Sequence, residues 1–165
     1  MILANSNAEL AAIIVFLGAY LVIAVVILLG CYVVTSIAHM KALKALGYDK
    51  PWMAWIPFAN YYAYADSVTN GQDTVTLFGN LSVPVMVYKF WWIAIFVAPL
   101  IPVIGSLLLT VIIVVFLGNC YTKMYARLEN TPEQDQQVIG YLSGFFAIIA
   151  VVKFLIGKYD TKTIY

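Results

Sequence analysis

From Leu10 to Ile37 the chain runs without one charged side chain. A helix rises about 1.5 Å per residue and a bilayer's hydrocarbon core is about 30 Å thick, so about 20 apolar residues suffice to cross it. This run is longer, which predicts a span that tilts or protrudes. It is also too long for the short apolar core of a signal peptide, and the preceding MILANSNAEL holds no Lys or Arg. The run therefore reads as a retained span.

The remainder of the chain agrees with a membrane setting. Hydrophobic residues make up 64% and charged residues 10%, with a mean hydropathy of +0.92. Soluble domains have about 45–50% apolar and about 25% charged residues. A net charge of +1 gives no basic field for nucleic acid. Cys31 and Cys120 both lie in hydrophobic segments without a Cys-x-x-Cys pair, which argues against a disulfide framework or a thiolate metal site.

After the first span, AHMKALKAL puts Lys41 and Lys44 on one helical face and Met40, Leu43 and Leu46 on the other. That pattern is an amphipathic exit into the headgroup layer, with Gly47 as its stop. The stretch DKPWMAWIPFANYYAYAD, residues 49–66, is neither a plain span nor a plain tail. Asp49 is placed to cap a short helix with Pro51 in its first turn, and Pro57 to break it. A second short helix follows over residues 58–65. Neither piece is long enough to cross a bilayer, so the stretch is expected to be interfacial or re-entrant. Its candidate interaction residues are Trp52, Trp55, Pro57, Asn60, Tyr61, Tyr62 and Asp66. Asp66 is expected to cap or to pair with Lys50 or Lys89, and Asn60 to tie the kink after Pro57.

Next, TVTLFGNLSV alternates on both sides of Gly79-Asn80, a type II′ hairpin signal within residues 74–85. Three further spans are expected at about residues 87–100, 103–121 and 132–157, the first two joined by the uncharged turn PLIPVIG. Thr131-Pro132-Glu133-Gln134 has the form of a capping box opening the last span. In that span Gly140 and Gly144 form a Gly-x-x-x-Gly step that permits close helix packing. The expected fold is an all-α transmembrane bundle, a single integral membrane domain over residues 1–165. Lys and Arg are absent from the N-terminus and the PLIPVIG turn and fall in the other two loops. This placement sets the N-terminus outside and the charged loops in the cytoplasm.

The order of these features resembles a group of uncharacterised small multi-pass membrane proteins of mostly Gram-positive bacteria with an AWIPFAN-type aromatic motif. The resemblance rests on KALKALGYDK, PWMAWIPFANYYAYAD, FGN, PLIPVIG and CYTKMYARLEN, and covers about residues 38–142. It implies a four-span protein of the bacterial cell membrane and no particular activity. The run TPEQDQQ departs from the pattern in being more acidic and polar.

His39 is the only histidine, with no ligand partner near it in sequence, and every Asp and Glu falls outside the expected spans. Coupled transport usually requires an ionisable group inside the membrane. No nucleophile motif or phosphate-cradling loop is present. The sequence thus points to a non-enzymatic accessory, scaffold or self-assembling membrane component, without cofactor or metal. Its partners would be the lipid bilayer and either a membrane protein or further copies of itself. The alternative is a small oligomeric channel or transporter for a neutral solute or lipid. An enzyme acting on lipid through Asp49, Asp66 or His39 ranks last.

Overall fold

The computed structural model describes residues 2–79 and 81–159, with side chains from residue 9 onward. The chain divides into two compact units, Met1–Thr35 and Ser36–Tyr165. Among the described residues it is mostly helical, with one two-stranded sheet.

Helix α1 runs Ile2–Ala45. Between Glu9 and Val34 every side chain is exposed except the half-buried Ala24. In the second unit α1 continues as Ser36–Ala45, where Ser36, Ala38, His39, Ala42 and Leu43 turn buried. It ends as expected at Gly47, whose φ of +75° only glycine adopts without strain. The Gly47 N–H reaches the Lys44 carbonyl at 3.0 Å and the Tyr48 N–H the Leu43 carbonyl at 3.0 Å, so two end carbonyls are satisfied.

Pro51–Trp55 forms a 3-10 turn. Lys50 rather than Asp49 stands at its cap, and no side chain bonds its N-terminus. Beyond Pro57 the chain makes a tight reversal at Phe58, φ +67°, with the Ala59 N–H on the Pro57 carbonyl at 2.9 Å. Helix α2, Ala59–Ser67, then begins. Strands β1, Thr74–Phe78, and β2, Leu81–Pro84, pair antiparallel as the alternation predicts, with Val75 opposite Val83 and Thr76 opposite Ser82. Gly79 has φ +54° at the first turn position; Asn80 lies outside the described residues.

The expected span at residues 87–100 is not one helix. It is a string of short pieces: α3, Val85–Lys89; a 3-10 turn, Trp91–Ile93; α4, Ala94–Val97; and a 3-10 turn, Ala98–Leu100. Bulky Phe90, Trp91 and Trp92 follow one another at the first break, and Pro99 withholds a donor at the last. Helix α5, Gly105–Glu129, carries the span expected to end near Tyr121 on to Glu129-Asn130, where the sequence places the helix stop, and its cationic end is folded into the protein core. Asn130 ends it in the left-handed conformation, φ 56°.

The expected span at residues 132–157 is two helices, α6, Glu133–Phe145, and α7, Ala147–Ile156, broken at Phe146. The capping box does not form. Pro132 occupies the cap position without a side-chain bond, and Thr131 Oγ1 instead accepts from Gln136 Nε2 at 3.0 Å. Two helices, Glu9–Ala45 and Gly105–Glu129, are long and apolar enough to cross a membrane. Four spanning helices are not present among the described residues.

The core of the second unit is aromatic and hydroxyl-rich. Tyr64, Tyr88, Tyr121, Tyr125, Phe154, His39, Leu43, Leu46 and Met124 are all fully buried. Glycines set the approach of α6 to α5. A Cβ on Gly140 would collide with Thr122, and one on Gly144 would lie 2.7 Å from the Gly118 backbone nitrogen. The Gly-x-x-x-Gly step therefore packs within the chain.

Candidate functional site

The aromatic stretch distributes its side chains over several neighbourhoods rather than one cavity. Trp52 is exposed at 55%, and Ile56, Pro57 and Phe58 beside it are also exposed. Trp55 is half-buried and its indole N–H points to Met40 Sδ at 3.3 Å. Asn60 Oδ1 accepts the Tyr61 N–H at 2.8 Å, and the Asn60 N–H reaches the Ile56 carbonyl at 3.1 Å across the Pro57 reversal. Tyr61 meets Trp91 edge-on at 5.2 Å. Burial raises the pKa of its phenol, which therefore stays a donor at neutral pH. Tyr62 lies 5.5 Å from Phe90, with Lys89 Nζ 5.9 Å from its ring centre.

Asp66 is the polar centre of the stretch. Its carboxylate pairs with Lys89 Nζ at 2.5 Å and accepts the Tyr48 hydroxyl at 2.8 Å. Of the two cations the sequence offered, Lys89 is the partner. The tie joins α3 to α2 and to the loop after α1.

His39 lies elsewhere, buried among Tyr64 (stacked, 4.7 Å), Phe154 (edge-on, 5.3 Å) and Tyr121, with its Nε2 2.8 Å from the Tyr121 hydroxyl. At 1% exposure it is buried from solvent. Asp49 is exposed and Asp66 is held by Lys89 and Tyr48, so these three residues sit in three separate settings. No group of three His, Cys, Asp or Glu side chains that could hold a metal occurs among the described residues.

Several structural polar residues stand out only in three dimensions. Asn119 Oδ1 accepts the Tyr88 hydroxyl at 2.8 Å, and its amide donates to the Leu77 carbonyl at 2.6 Å. Tyr141 donates to that same carbonyl at 2.8 Å. These bonds fasten the hairpin onto α5 and α6, which a two-stranded sheet needs in order to persist. Arg127 forks onto the Ser67 and Val68 carbonyls at 2.9 and 2.7 Å and so closes the end of α2. Lys41 Nζ donates to the Leu155 and Gly157 carbonyls, each at 2.7 Å, and closes the end of α7. Lys123 pairs with Glu133 at 2.8 Å, and Lys153 with Glu129 at 2.5 Å. The one available signal was an asparagine in the otherwise apolar run of α5.

Two open grooves stand out among the described residues. One of about 410 Å³ is lined by Ile37, Met40, Lys41, Lys44, Ala45 and Tyr159. Burial pushes the Tyr159 phenol up to about 12, so it remains protonated there. The other, of about 400 Å³, is lined by Ile139, Ile148, Ile149, Val152, Ile156 and Lys153.

The chain matches no protein-family model, no curated protein and no solved structure.

Proposed function

We propose that this chain is an integral membrane protein of the accessory or scaffold kind, non-enzymatic, with its N-terminus outside and its Lys- and Arg-bearing loops in the cytoplasm. One observation carries the reading: in the second unit, ionisable side chains serve to tie elements together. Asp66 holds Lys89, Glu133 holds Lys123, Glu129 holds Lys153, and Lys41 and Arg127 close helix ends. Such groups are positioned by their partners and shape the fold.

The outer surface is apolar over long stretches. Trp52, Ile56 and Phe58 form an exposed corner of the aromatic stretch, a surface suited to headgroups or to another membrane protein. Extraction of native membranes in mild detergent is expected to yield the chain with a stoichiometric partner or as a defined homo-oligomer. A lone monomer contradicts the reading. Trp52→Ala is expected to weaken that assembly while changing thermal stability little, within about 0.5 kcal/mol for an exposed side chain. If assembly survives Trp52→Ala unchanged, the corner is not the contact.

A further inference from the structure

The ends of α6 and α7 decide how the second unit meets a bilayer. Helix α6 starts at the Glu129 end of α5, where Glu133 pairs with Lys123 and Gln136 Nε2 donates to Glu129 at 2.8 Å. It then runs antiparallel along α5, placing Gly140 against Thr122 and Gly144 against Gly118. After the break at Phe146, α7 comes back. Phe154 lies 5.3 Å from Tyr125, Lys153 pairs with Glu129, and Lys41 holds the Leu155 and Gly157 carbonyls. Both ends of the α6–α7 pair are thus at one level, and its apex is the exposed pair Phe145–Phe146.

The pair made by residues 91–118 has the same form. Its base is fixed by Tyr88 on Asn119 and by Trp91 stacked on Phe116, at 6.1 Å. Its apex is the reversal at Leu100–Ile104, where Val103 is 98% exposed with φ +67°, and the Ala98 carbonyl closes against Gly105. Below Asn119 the α5 arm is Gly105–Gly118, about 21 Å long at about 1.5 Å per residue. That falls short of the about 30 Å of a hydrocarbon core, and fits the about 15 Å of one leaflet with the arm tilted and its base in the headgroup layer. The two apices point the same way, since Gly144 packs beside Gly118 and Val114 on the N-terminal side of Asn119.

Charge follows this geometry. Residues 90–118 and 137–152 contain no Asp, Glu, Lys or Arg, while Lys89, Lys123, Arg127, Glu129, Glu133 and Lys153 cluster at the bases.

We infer that the second unit is embedded in a single leaflet, through two re-entrant helical hairpins whose apolar apices dip into the hydrocarbon and return. The surface is the exposed apolar flank of both hairpins, and its partner is the acyl-chain layer of one monolayer. The bases lie at headgroup depth, where the half-buried Trp92, Tyr61 and Tyr62 are at home and the exposed Lys44 and Lys50 reach phosphates. Placing Gly157 across the membrane from Lys41 would need their 2.7 Å contact to span the bilayer. With both hairpins re-entrant, the Lys and Arg of the described residues, each C-terminal to the run Leu10–Ile37, fall on one face.

This inference rests on the membrane reading above, and the test keeps the two separate. The full chain, with Cys31→Ala and Cys120→Ala, is given single cysteines Asn70→Cys, Asp135→Cys, Lys158→Cys, Val103→Cys or Phe146→Cys. Intact vesicles of each orientation are treated with a charged, membrane-impermeant maleimide. Positions 70, 135 and 158 are expected to label from one and the same face. Positions 103 and 146 are expected to label from neither face until detergent dissolves the membrane. Labelling of position 103 or 146 in intact vesicles, or of position 158 from the face opposite 135, overturns the inference. Alkaline washing of the same vesicles reports on the membrane reading alone: release of the chain removes that reading, and retention leaves it standing whatever the labelling pattern.

Discussion

Single side chains close this fold where backbone groups would otherwise be left bare. Arg127 serves two carbonyls at the end of α2 with one guanidinium. Arg127→Met keeps the bulk and removes the donors, so it is expected to cost about 1–3 kcal/mol for acceptors left unpaired. Arg127→Lys should recover part of that loss, since an ammonium is a point donor and not a fork. Thermal unfolding in detergent reads both, and a Met variant as stable as the parent would show that the cap is dispensable. Glycines act at the same scale. Gly144→Ala drives a methyl onto the Gly118 backbone, an overpacking expected to cost about 1–3 kcal/mol. Gly18→Ala meets open space in a helix, where alanine is the better former by about 0.5–1 kcal/mol. A reversed order of these two variants in the same melt would contradict the packing described. Gly140 and Gly144 were visible in the sequence as a packing step. Arg127, Asn119 and Lys41 were not visible as caps and struts, because their partners are backbone carbonyls 42 to 116 residues away.

At the scale of elements, what was legible is what local chemistry decides. The end of α1 at Gly47 follows from a residue free to adopt positive φ, and the β1–β2 hairpin from alternation around Gly79. The interruption at Pro57 and the left-handed stop at Asn130 are of the same kind. The expectations that failed are those in which tertiary structure overrides a local signal. Thr131 and Gln134 have the pattern of a capping box, yet Thr131 is bonded by Gln136 and the helix starts at Glu133. The apolar length of residues 132–157 suits one span, yet the chain breaks at Phe146, where neither proline nor glycine stands. The packing on each side accounts for the break. Helix α6 is committed to α5 through Gly140 and Gly144, and α7 to the Glu129 end through Lys153 and Phe154. Hydropathy registers that a segment prefers lipid; it does not register whether the segment crosses or turns back.

The same distinction governs the whole molecule. Counting apolar stretches gives four passages and leaves Lys153, Lys158 and Lys162 on the wrong face for cytoplasmic cations. Two hairpins that return to their starting level remove that conflict without moving a residue. They also turn the aromatic stretch at residues 49–66 from a connector between spans into part of a base layer, pinned by Asp66–Lys89 and by Tyr61 on Trp91. A unit held this way presents a polar, well-tied face to one compartment and an apolar flank to one monolayer. That arrangement supports the accessory or scaffold role we propose.

The return of α7 to the Glu129 end is the point on which this picture turns. Glu129→Cys and Lys153→Cys can be combined in the full chain lacking Cys31 and Cys120, treated in native membranes with a short bis-maleimide that spans the length of the two native side chains, and scored by mass spectrometry of the linked peptides. Because the Lys153 and Glu129 side chains meet in the folded chain, a crosslink within one molecule is expected to form in high yield. Failure to crosslink in membranes where Glu129→Cys and Lys153→Cys label singly from opposite faces would show that residues 132–157 cross the bilayer and would contradict the single-leaflet account.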